Sequence, residues 1–375
     1  TYAFPWNMTL GAIKDSSIVE KVGKRIGEHA KRLGVHINFA PVVDINTNPK
    51  NPIIGNRSFG EDRENVAKMG VAFTKGMESA GVLSSGKHFP GHGDTATDSH
   101  HALPIIDFSR ERLDSLELYP YKKVIEAGLS SVMVAHLEVP ALEIKKEVPS
   151  SLSEQVITGI LKEEMGFKGL VFTDALNMKG AADRGNNGDV ELEAFLAGND
   201  ILLMPTALEE AKAKLLKLYD KGKISEERLA HSVKKILKAK YKVGLQKYAP
   251  IKVESLYEDL NSIKDDLIYE EAIENAITVV KNNFYLMGIK KLENKKIAYV
   301  KFGDAPNEAF VNELNKYAKV TQVNGKDIST LKKKLADYNL IIIGHHRSNA
   351  SPWKGNKFSK NELFWLEEIA KERSS

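Results

Sequence analysis

Short unbroken apolar runs alternate with longer stretches of helical period from about residue 15 to residue 245. An unbroken apolar run of four to eight residues is typical of a strand that is buried on both faces, as in a parallel sheet. Such runs predict strands at 37–43, 82–88, 131–136, 170–174 and 201–204. The alternation of predicted strands and helices therefore indicates a parallel α/β domain over residues 1–245.

The segments between the runs carry apolar residues at helical spacing. Residues 66–77 predict one helix and residues 156–165 predict another. Ser153 is the predicted N-cap of the second helix, and Gly166 is its predicted stop.

Titratable side chains stand where the apolar runs finish. One run closes on Asp44, and others close on Lys87-His88, on His136 and on Asp174. In a (β/α)8 barrel the carboxyl ends of the strands converge on one face, which carries the active site. A doubly wound open sheet also places ligands there, but no Gly-x-Gly-x-x-Gly turn follows a predicted strand. We therefore predict a TIM-type (β/α)8 barrel.

A second α/β domain is predicted over residues 278–375, after a linker and bridging helix at 246–277. Its predicted strands lie at 278–280, 296–300, 320–323 and 340–344, and its helical patterns at 305–317, 327–337 and 359–373. The chain begins at Thr1 without an initiator Met or a signal peptide, and it ends before the second α/β unit looks complete. We therefore expect an N-terminally truncated barrel and a C-terminally incomplete second domain.

Composition narrows the classes of function. The chain has 375 residues, of which 42% are hydrophobic and 28% charged, which predicts packed globular domains. A net charge of +4, without a basic run interleaved with aromatics, argues against a nucleic-acid partner. No apolar stretch approaches the roughly 18–20 residues that a membrane span needs. The absence of cysteine excludes disulfides and thiolate catalysis, and the sequence assigns no compartment.

Residues 87–101 hold four of the ten histidines of the chain, in a glycine-bearing loop. Histidine exchanges protons near neutral pH. Asp98 stands two residues before His100, so its carboxylate can bond one ring nitrogen and raise the basicity of the other. The alternative is a solvated loop of chance neighbours. Asp174 is either a nucleophile or charge stabiliser in the barrel mouth, or the N-cap of a helix near Ala175.

A zinc site is the other hypothesis for this loop. Its donors would be His88, His92, Asp98 and His100, but their spacing matches no metal motif such as His-Glu-x-x-His. We therefore predict neither a metal nor a cofactor.

The segment 87–94, Lys-His-Phe-Pro-Gly-His-Gly-Asp, followed by Asp98-Ser99-His100, resembles the signature of glycoside hydrolase family 3. More narrowly, it is similar to the β-N-acetylglucosaminidase branch. Segments 39–44, 54–59 and 172–178 extend the resemblance, which covers most of residues 5–245.

The resemblance implies a retaining exo-hydrolase on a (β/α)8 barrel. By the same resemblance, Asp174 is the nucleophile and His100 is the acid/base, which Asp98 tunes. The substrate-binding residues that it implies are Arg57, Lys87, His88, His136 and Met178. The implied partner is a carbohydrate that ends in β-linked N-acetylglucosamine (GlcNAc), from peptidoglycan-derived fragments.

Two alternatives stay open beside the hydrolase. In a phosphorylase, phosphate would replace water in the second step, and a histidine acid/base carries no negative charge to repel it. The other alternative is a non-catalytic sugar-binding protein on a degenerate barrel. Members of the family carry a first barrel strand with an acidic residue that binds the sugar, and neither has a counterpart in this chain. The aglycone and the oligomeric state are not assigned.

Overall fold

The computed structural model describes residues 1–97, 99, 102–185, 187–283, 287–348 and 357–371. The chain divides into two compact units, Thr1–Thr278 and Val279–Ser375. The domain limits inferred from the sequence are 1–245, 246–277 and 278–375. They stay predictions, because the division into compact units does not test them.

The first unit is built on a four-stranded parallel sheet. Its strands are β1 (Ile37–Asn38), β2 (Leu83–Phe89), β3 (Ser131–Val134) and β4 (Leu170–Thr173). They are adjacent in chain order, and isolated bridges join Val42 to Lys87 and Phe172 to Ile201. Each strand therefore pairs with the next one along the chain, as successive βα units of a barrel do.

Helices precede and follow these strands. They are α1 (Asn7–Gly11), α2 (Ser16–Arg32), α3 (Arg63–Ser79), α4 (Arg110–Ser115), α5 (Tyr119–Glu126), a π-helix (Gln155–Glu164), α6 (Lys179–Ala182), α7 (Asp189–Ala197), α8 (Leu208–Asp220), α9 (Glu226–Lys242), α10 (Leu256–Asp259) and α11 (Ile263–Ala276). The predicted helices at 66–77 and 156–165 are thus present. The Ser153 hydroxyl accepts from the Val156 N–H at 3.1 Å, and Gly166, with φ of 68°, follows the π-helix.

Helices α2 and α3 pack closely because two glycines allow their backbones to meet. A Cβ on Gly76 would lie 2.1 Å from the Glu20 carbonyl oxygen, and one on Gly23 would lie 2.6 Å from that of Phe73. The buried face of α3, including Met69 and Phe73, joins the main hydrophobic core beneath the sheet.

Two predicted strands of the first unit are shorter than expected. The predicted strand 37–43 is reduced to β1 and the bridge at Val42, because Pro41 has no N–H to donate to a neighbouring strand. The predicted strand 201–204 is wrong as a full strand, since it forms one bridge at Ile201.

The second unit contains a three-stranded parallel sheet in the order β6–β5–β7. Its strands are β5 (Ile297–Gly303), β6 (Val320–Gln322) and β7 (Leu340–His346). Its helices are α12 (Glu308–Asn315), α13 (Ile328–Leu335) and α14 (Lys360–Lys371). The predicted strand 278–280 is wrong: no strand includes these residues, and Val280 is 94% exposed. Nowhere in the described parts of the chain is a helix long and apolar enough to cross a bilayer.

Candidate active site

Five of the predicted site residues lie at the carboxyl ends of the first sheet or on the loops that leave it. Lys87 and His88 are among the last three residues of β2, and the peptide between them is cis. His136 follows β3 by two residues, and Asp174 follows β4 directly. Because the strands are parallel neighbours, these side chains lie at the same edge of the sheet. Arg57 reaches that edge from a 3-10 turn, Gly55–Arg57.

Asp44 holds His88 in a fixed orientation. The Asp44 side chain is completely buried, and its Oδ2 lies 2.7 Å from His88 Nδ1. On the other side of the ring, His88 Nε2 lies 3.2 Å from Arg57 Nη2. An arginine can only donate, so Nε2 accepts and Nδ1 donates to Asp44. Burial raises the pKa of Asp44, but His88 and His92 outweigh it and the net pKa lies below its ordinary value.

Asp174 is half-buried and is held as an anion. Its Oδ1 accepts from the Ala175 N–H at 2.8 Å. Burial raises the pKa of Asp174, but the imidazoles of His88 and His136, the Ala175 amide and the Lys87 ammonium outweigh it, so the pKa falls below its usual range. No helix begins near Ala175, because α6 starts at Lys179, so Asp174 does not act as a helix N-cap.

Lys87 is a cation with an unusually low pKa. Burial is the main cause, and the neighbouring Arg57 adds to it, while Asp174 and Asp44 act in the opposite direction. The resulting pKa is about 8, compared with 10.5 for an ordinary lysine. The ammonium therefore persists at neutral pH and is lost in mildly alkaline solution.

His136 is anchored between two loops. Its Nε2 donates to the Ala175 carbonyl at 3.0 Å, so its Nδ1 accepts from the Ser151 hydroxyl at 2.6 Å. The imidazole is fully buried and contacts the residue next to Asp174. Met178 is also buried and immediately precedes α6, with its N–H donating to the Ala175 carbonyl at 3.0 Å.

The predicted acid/base residues Asp98 and His100 lie outside the described residues. Ser99, which stands between them in the sequence, is described and buried. Its hydroxyl lies 3.2 Å from His92 Nε2, and its carbonyl accepts from the Gly180 N–H at 3.2 Å. Gly180 is six residues after Asp174, so Ser99 is hydrogen bonded to the segment that leaves the nucleophile candidate.

Several residues that shape the site carry no recognisable sequence signal. Asn51 donates to the His92 carbonyl at 2.8 Å, and Ser151 supports His136. The sequence suggests for His92 only the role of a zinc donor, whereas in the structure both of its ring nitrogens contact hydroxyls. Within the described ranges, which omit Asp98 and His100, no group of three or more His, Cys, Asp or Glu side chains could hold a metal ion.

Parallel strands with a carboxylate and several cations at their carboxyl ends are typical of a protein of the α/β-barrel class, which has a polar binding site at one face. The Glycosyl hydrolase family 3 N terminal domain matches residues 1–239. The chain therefore belongs to glycosyl hydrolase family 3. The N-terminal domain of this family is a TIM-type (β/α)8 fold, so the family resemblance and the predicted fold class are both confirmed.

Known relatives match this chain over much of its length. The beta-hexosaminidase A of Pseudoalteromonas piscicida is 38% identical over 303 residues, which cover 75% of this chain and 50% of that protein. The chain spans about half the length of the curated relatives it matches.

Solved structures resemble the chain over nearly all of it. A family 3 beta-N-acetylglucosaminidase from Paenibacillus sp. str. FPU-7 has a TM-score of 0.76 and 32% identity, covering 99% of this chain and 72% of that one. The beta-glucoside phosphorylase BglX has a TM-score of 0.77 and 26% identity, covering 94% of this chain and 68% of that one.

Proposed function

We propose that the protein is a retaining exo-β-N-acetylglucosaminidase that releases terminal β-linked GlcNAc. The observation that carries the proposal is Asp174, a half-buried carboxylate kept ionised at a strand end by surrounding cationic and hydrogen-bonding groups. A retaining glycosidase needs such an anion beside the anomeric carbon of the sugar. The names of the relatives supply the sugar, since they include a beta-hexosaminidase and a beta-N-acetylglucosaminidase.

In the first step, the Asp174 carboxylate attacks the anomeric carbon as the bond to the leaving oxygen breaks. His100 gives its proton to that oxygen, and a covalent glycosyl-enzyme forms. In the second step, His100 takes a proton from water, whose oxygen attacks the anomeric carbon and releases Asp174. Asp98 accepts a hydrogen bond from the His100 ring and stabilises its charged form. Histidine in this role avoids a second anion near Asp174.

The sugar hydroxyls are bound by polar groups at the sheet edge. Arg57 and Lys87 present cationic N–H groups, and His88 presents Nε2, an acceptor whose orientation Asp44 fixes through the 2.7 Å hydrogen bond to Nδ1. His136, which follows β3, and Met178, in the segment after β4, line one side of the proposed sugar site. Peptidoglycan-derived fragments are the source of GlcNAc that we propose.

The test is turnover of an aryl β-N-acetylglucosaminide by Asp174→Ala and His100→Ala. We expect each variant to lose at least about a hundredfold in kcat/KM, in line with the contribution of a general acid/base or a nucleophile. Azide should restore part of the activity of Asp174→Ala and yield a glycosyl azide, because the small anion takes the place of the missing carboxylate.

The matched control is Asp183→Asn, which neutralises an exposed aspartate at the end of α6. It should retain wild-type turnover. Full activity in both Asp174→Ala and His100→Ala would contradict the proposed mechanism, and binding of GlcNAc without hydrolysis by the wild-type protein would favour a sugar-binding role.

A phosphorylase is the second candidate function, favoured by the structural similarity to BglX. Lys87, which interacts with Asp174, and Arg57, which neighbours Lys87, are cations that would tolerate an incoming phosphate dianion. The two reactions differ in their product: a hydrolase releases free GlcNAc, whereas a phosphorylase forms GlcNAc 1-phosphate. Product analysis with and without inorganic phosphate separates them.

A further inference from the structure

His92 lies at the centre of a hydrogen-bonded cluster below the loop that follows β2. Its backbone N–H donates to Asp44 Oδ1 at 2.7 Å, and its carbonyl accepts from Asn51 Nδ2 at 2.8 Å. The residue is 2% exposed. The backbone of His92 is therefore fixed to the same buried carboxylate that orients His88.

The hydroxyl of Thr95 determines which nitrogen of His92 carries the proton. That hydroxyl donates its single proton to the His92 carbonyl at 3.2 Å. Its oxygen therefore accepts from His92 Nδ1, 2.7 Å away. His92 Nε2 is left as an acceptor, and the Ser99 hydroxyl donates to it at 3.2 Å.

Ser99 is held on its other side by the segment that leaves Asp174. The Gly180 N–H donates to the Ser99 carbonyl at 3.2 Å. A Cβ on residue 180 would lie 3.1 Å from that carbonyl oxygen and 3.1 Å from the Cβ of His136. The absence of a side chain at residue 180 therefore favours this close approach of Ser99 to the start of α6.

We infer that His92 is a positioning residue: by accepting from the Ser99 hydroxyl, it holds Ser99 at Gly180 and so aligns the acid/base residue that follows Ser99 in the chain. The inference rests on the proposed function, because it assigns His92 an effect on protonation of the leaving group. His92 does not touch the sugar in this scheme and acts only through Ser99.

The protonation state of His92 suits this role. Burial and the neighbouring His88, whose ring centroid lies 6.1 Å away, lower the pKa of His92, while Asp44 and Asp174 act in the opposite direction. The pKa comes to about 4. The ring is therefore neutral at working pH, and Nε2 keeps its lone pair for Ser99.

The experiment compares kcat/KM for two β-N-acetylglucosaminides, one with a 2,4-dinitrophenyl aglycone and one with an alkyl aglycone. The dinitrophenolate leaves without protonation, whereas the alkoxide requires the general acid. Because kcat/KM reports the steps up to the first bond cleavage, it isolates this difference. Ser99→Ala should lower the value about five- to tenfold for the alkyl substrate, which is the worth of about one neutral hydrogen bond. The dinitrophenyl substrate should change by less than about twofold.

Two variants of His92 separate its two ring contacts. His92→Gln offers an amide oxygen near the position of Nε2 and should retain alkyl glycoside turnover better than His92→Asn, whose shorter amide reaches only Thr95. Thr97→Ala, which removes an exposed hydroxyl from the same loop, is the control and should behave as wild type. Thermal unfolding of each variant identifies any that fails to fold. If the His92 variants fail to fold, Ser99→Ala still tests the inference.

Equal losses on both substrates in Ser99→Ala, or wild-type values on both, would overturn the inference. In either case a wild-type protein that cleaves both glycosides leaves the proposed function intact. If the wild-type protein cleaves neither, the proposed function itself fails.

Discussion

Replacing Asp44 by asparagine should destabilise the protein and disorder the sugar-binding edge at the same time. The carboxylate is fully buried and accepts from His88 Nδ1 and from the His92 N–H, each at 2.7 Å, and from the His88 N–H at 3.2 Å. An asparagine keeps the shape of the side chain but replaces one oxygen by an NH2 group. That group has to face one of these donors.

The magnitude follows from those contacts. One buried donor left without an acceptor costs about 1–3 kcal/mol. The hydrogen bonds that remain lose their charge assistance, which together is worth about 1 kcal/mol more. We therefore expect the free energy of unfolding at pH 7 to fall by about 3 kcal/mol. Because His88 loses its fixed orientation, KM for the glycoside should also rise.

The pH dependence has a definite sign. The pKa of Asp44 is lower in the folded protein than in the unfolded chain, so its stabilisation is complete above the unfolded pKa of about 3.9 and is lost as the pH falls through the folded pKa. The difference in stability between wild type and Asp44→Asn should therefore be constant between pH 7 and pH 5 and shrink only below about pH 4.

Urea unfolding followed by circular dichroism at several pH values measures that difference. Asp107→Asn, at an exposed aspartate, is the control and should change stability by less than about 0.5 kcal/mol. An Asp44→Asn protein as stable as wild type at pH 7 would refute the assignment of Asp44 as the buried acceptor of this cluster. A stability difference that grows on acidification would refute the lowered pKa.

Three further predictions concern other residues. Because the pKa of Lys87 is about 8, kcat/KM should fall above pH 8 as the ammonium is lost, and Lys87→Arg should move this alkaline limb to higher pH in a pH–rate profile. Gly180→Ala should displace Ser99, because the Ser99 carbonyl oxygen would lie 3.1 Å from the new Cβ. The variant should therefore lose more turnover on alkyl glycosides than on dinitrophenyl glycosides, and equal losses on the two substrates would contradict the close approach. Asp265→Asn breaks a buried pair with Arg25, at 2.6 Å, that joins α11 to α2, and should lower the midpoint of thermal unfolding without changing KM.

Strands buried on both faces were the most predictable part of the fold. β2, β3 and β4 lie within one or two residues of the apolar runs that predict them, because a strand covered on both faces has to be apolar throughout. The run 278–280 is equally apolar but pairs with no strand, and Val280 is exposed. Composition alone does not distinguish an apolar run with a partner from one without.

Site residues that lie at strand ends could be predicted from the order of the strands. Residues that join the site through hydrogen bonds to distant partners could not. The convergence of Lys87, His88 and Asp174 was predictable, because side chains at the carboxyl ends of the strands meet in any parallel barrel. Asn51 meets His92 across 41 residues, and Ser151 meets His136 across 15. A single polar residue that bonds a distant partner leaves no periodic or spaced pattern, so only the folded chain identifies it.

Asp44 and Asp174 both follow an apolar run, but their contacts differ, and this difference supports the proposal that Asp174 is the nucleophile. Asp44 is sealed from solvent, and the N–H groups of His88 and His92 occupy both of its oxygens, so a sugar cannot reach it. Asp174 is half-buried and takes its hydrogen bond at Oδ1 from the amide of the next residue. A nucleophile has to be ionised and also accessible, and only Asp174 meets both conditions. His88 is the imidazole common to both: it lowers the pKa of Asp44 together with His92 and the pKa of Asp174 together with His136. Under the proposed function, the same side chain stabilises the fold through Asp44 and keeps the nucleophile ionised.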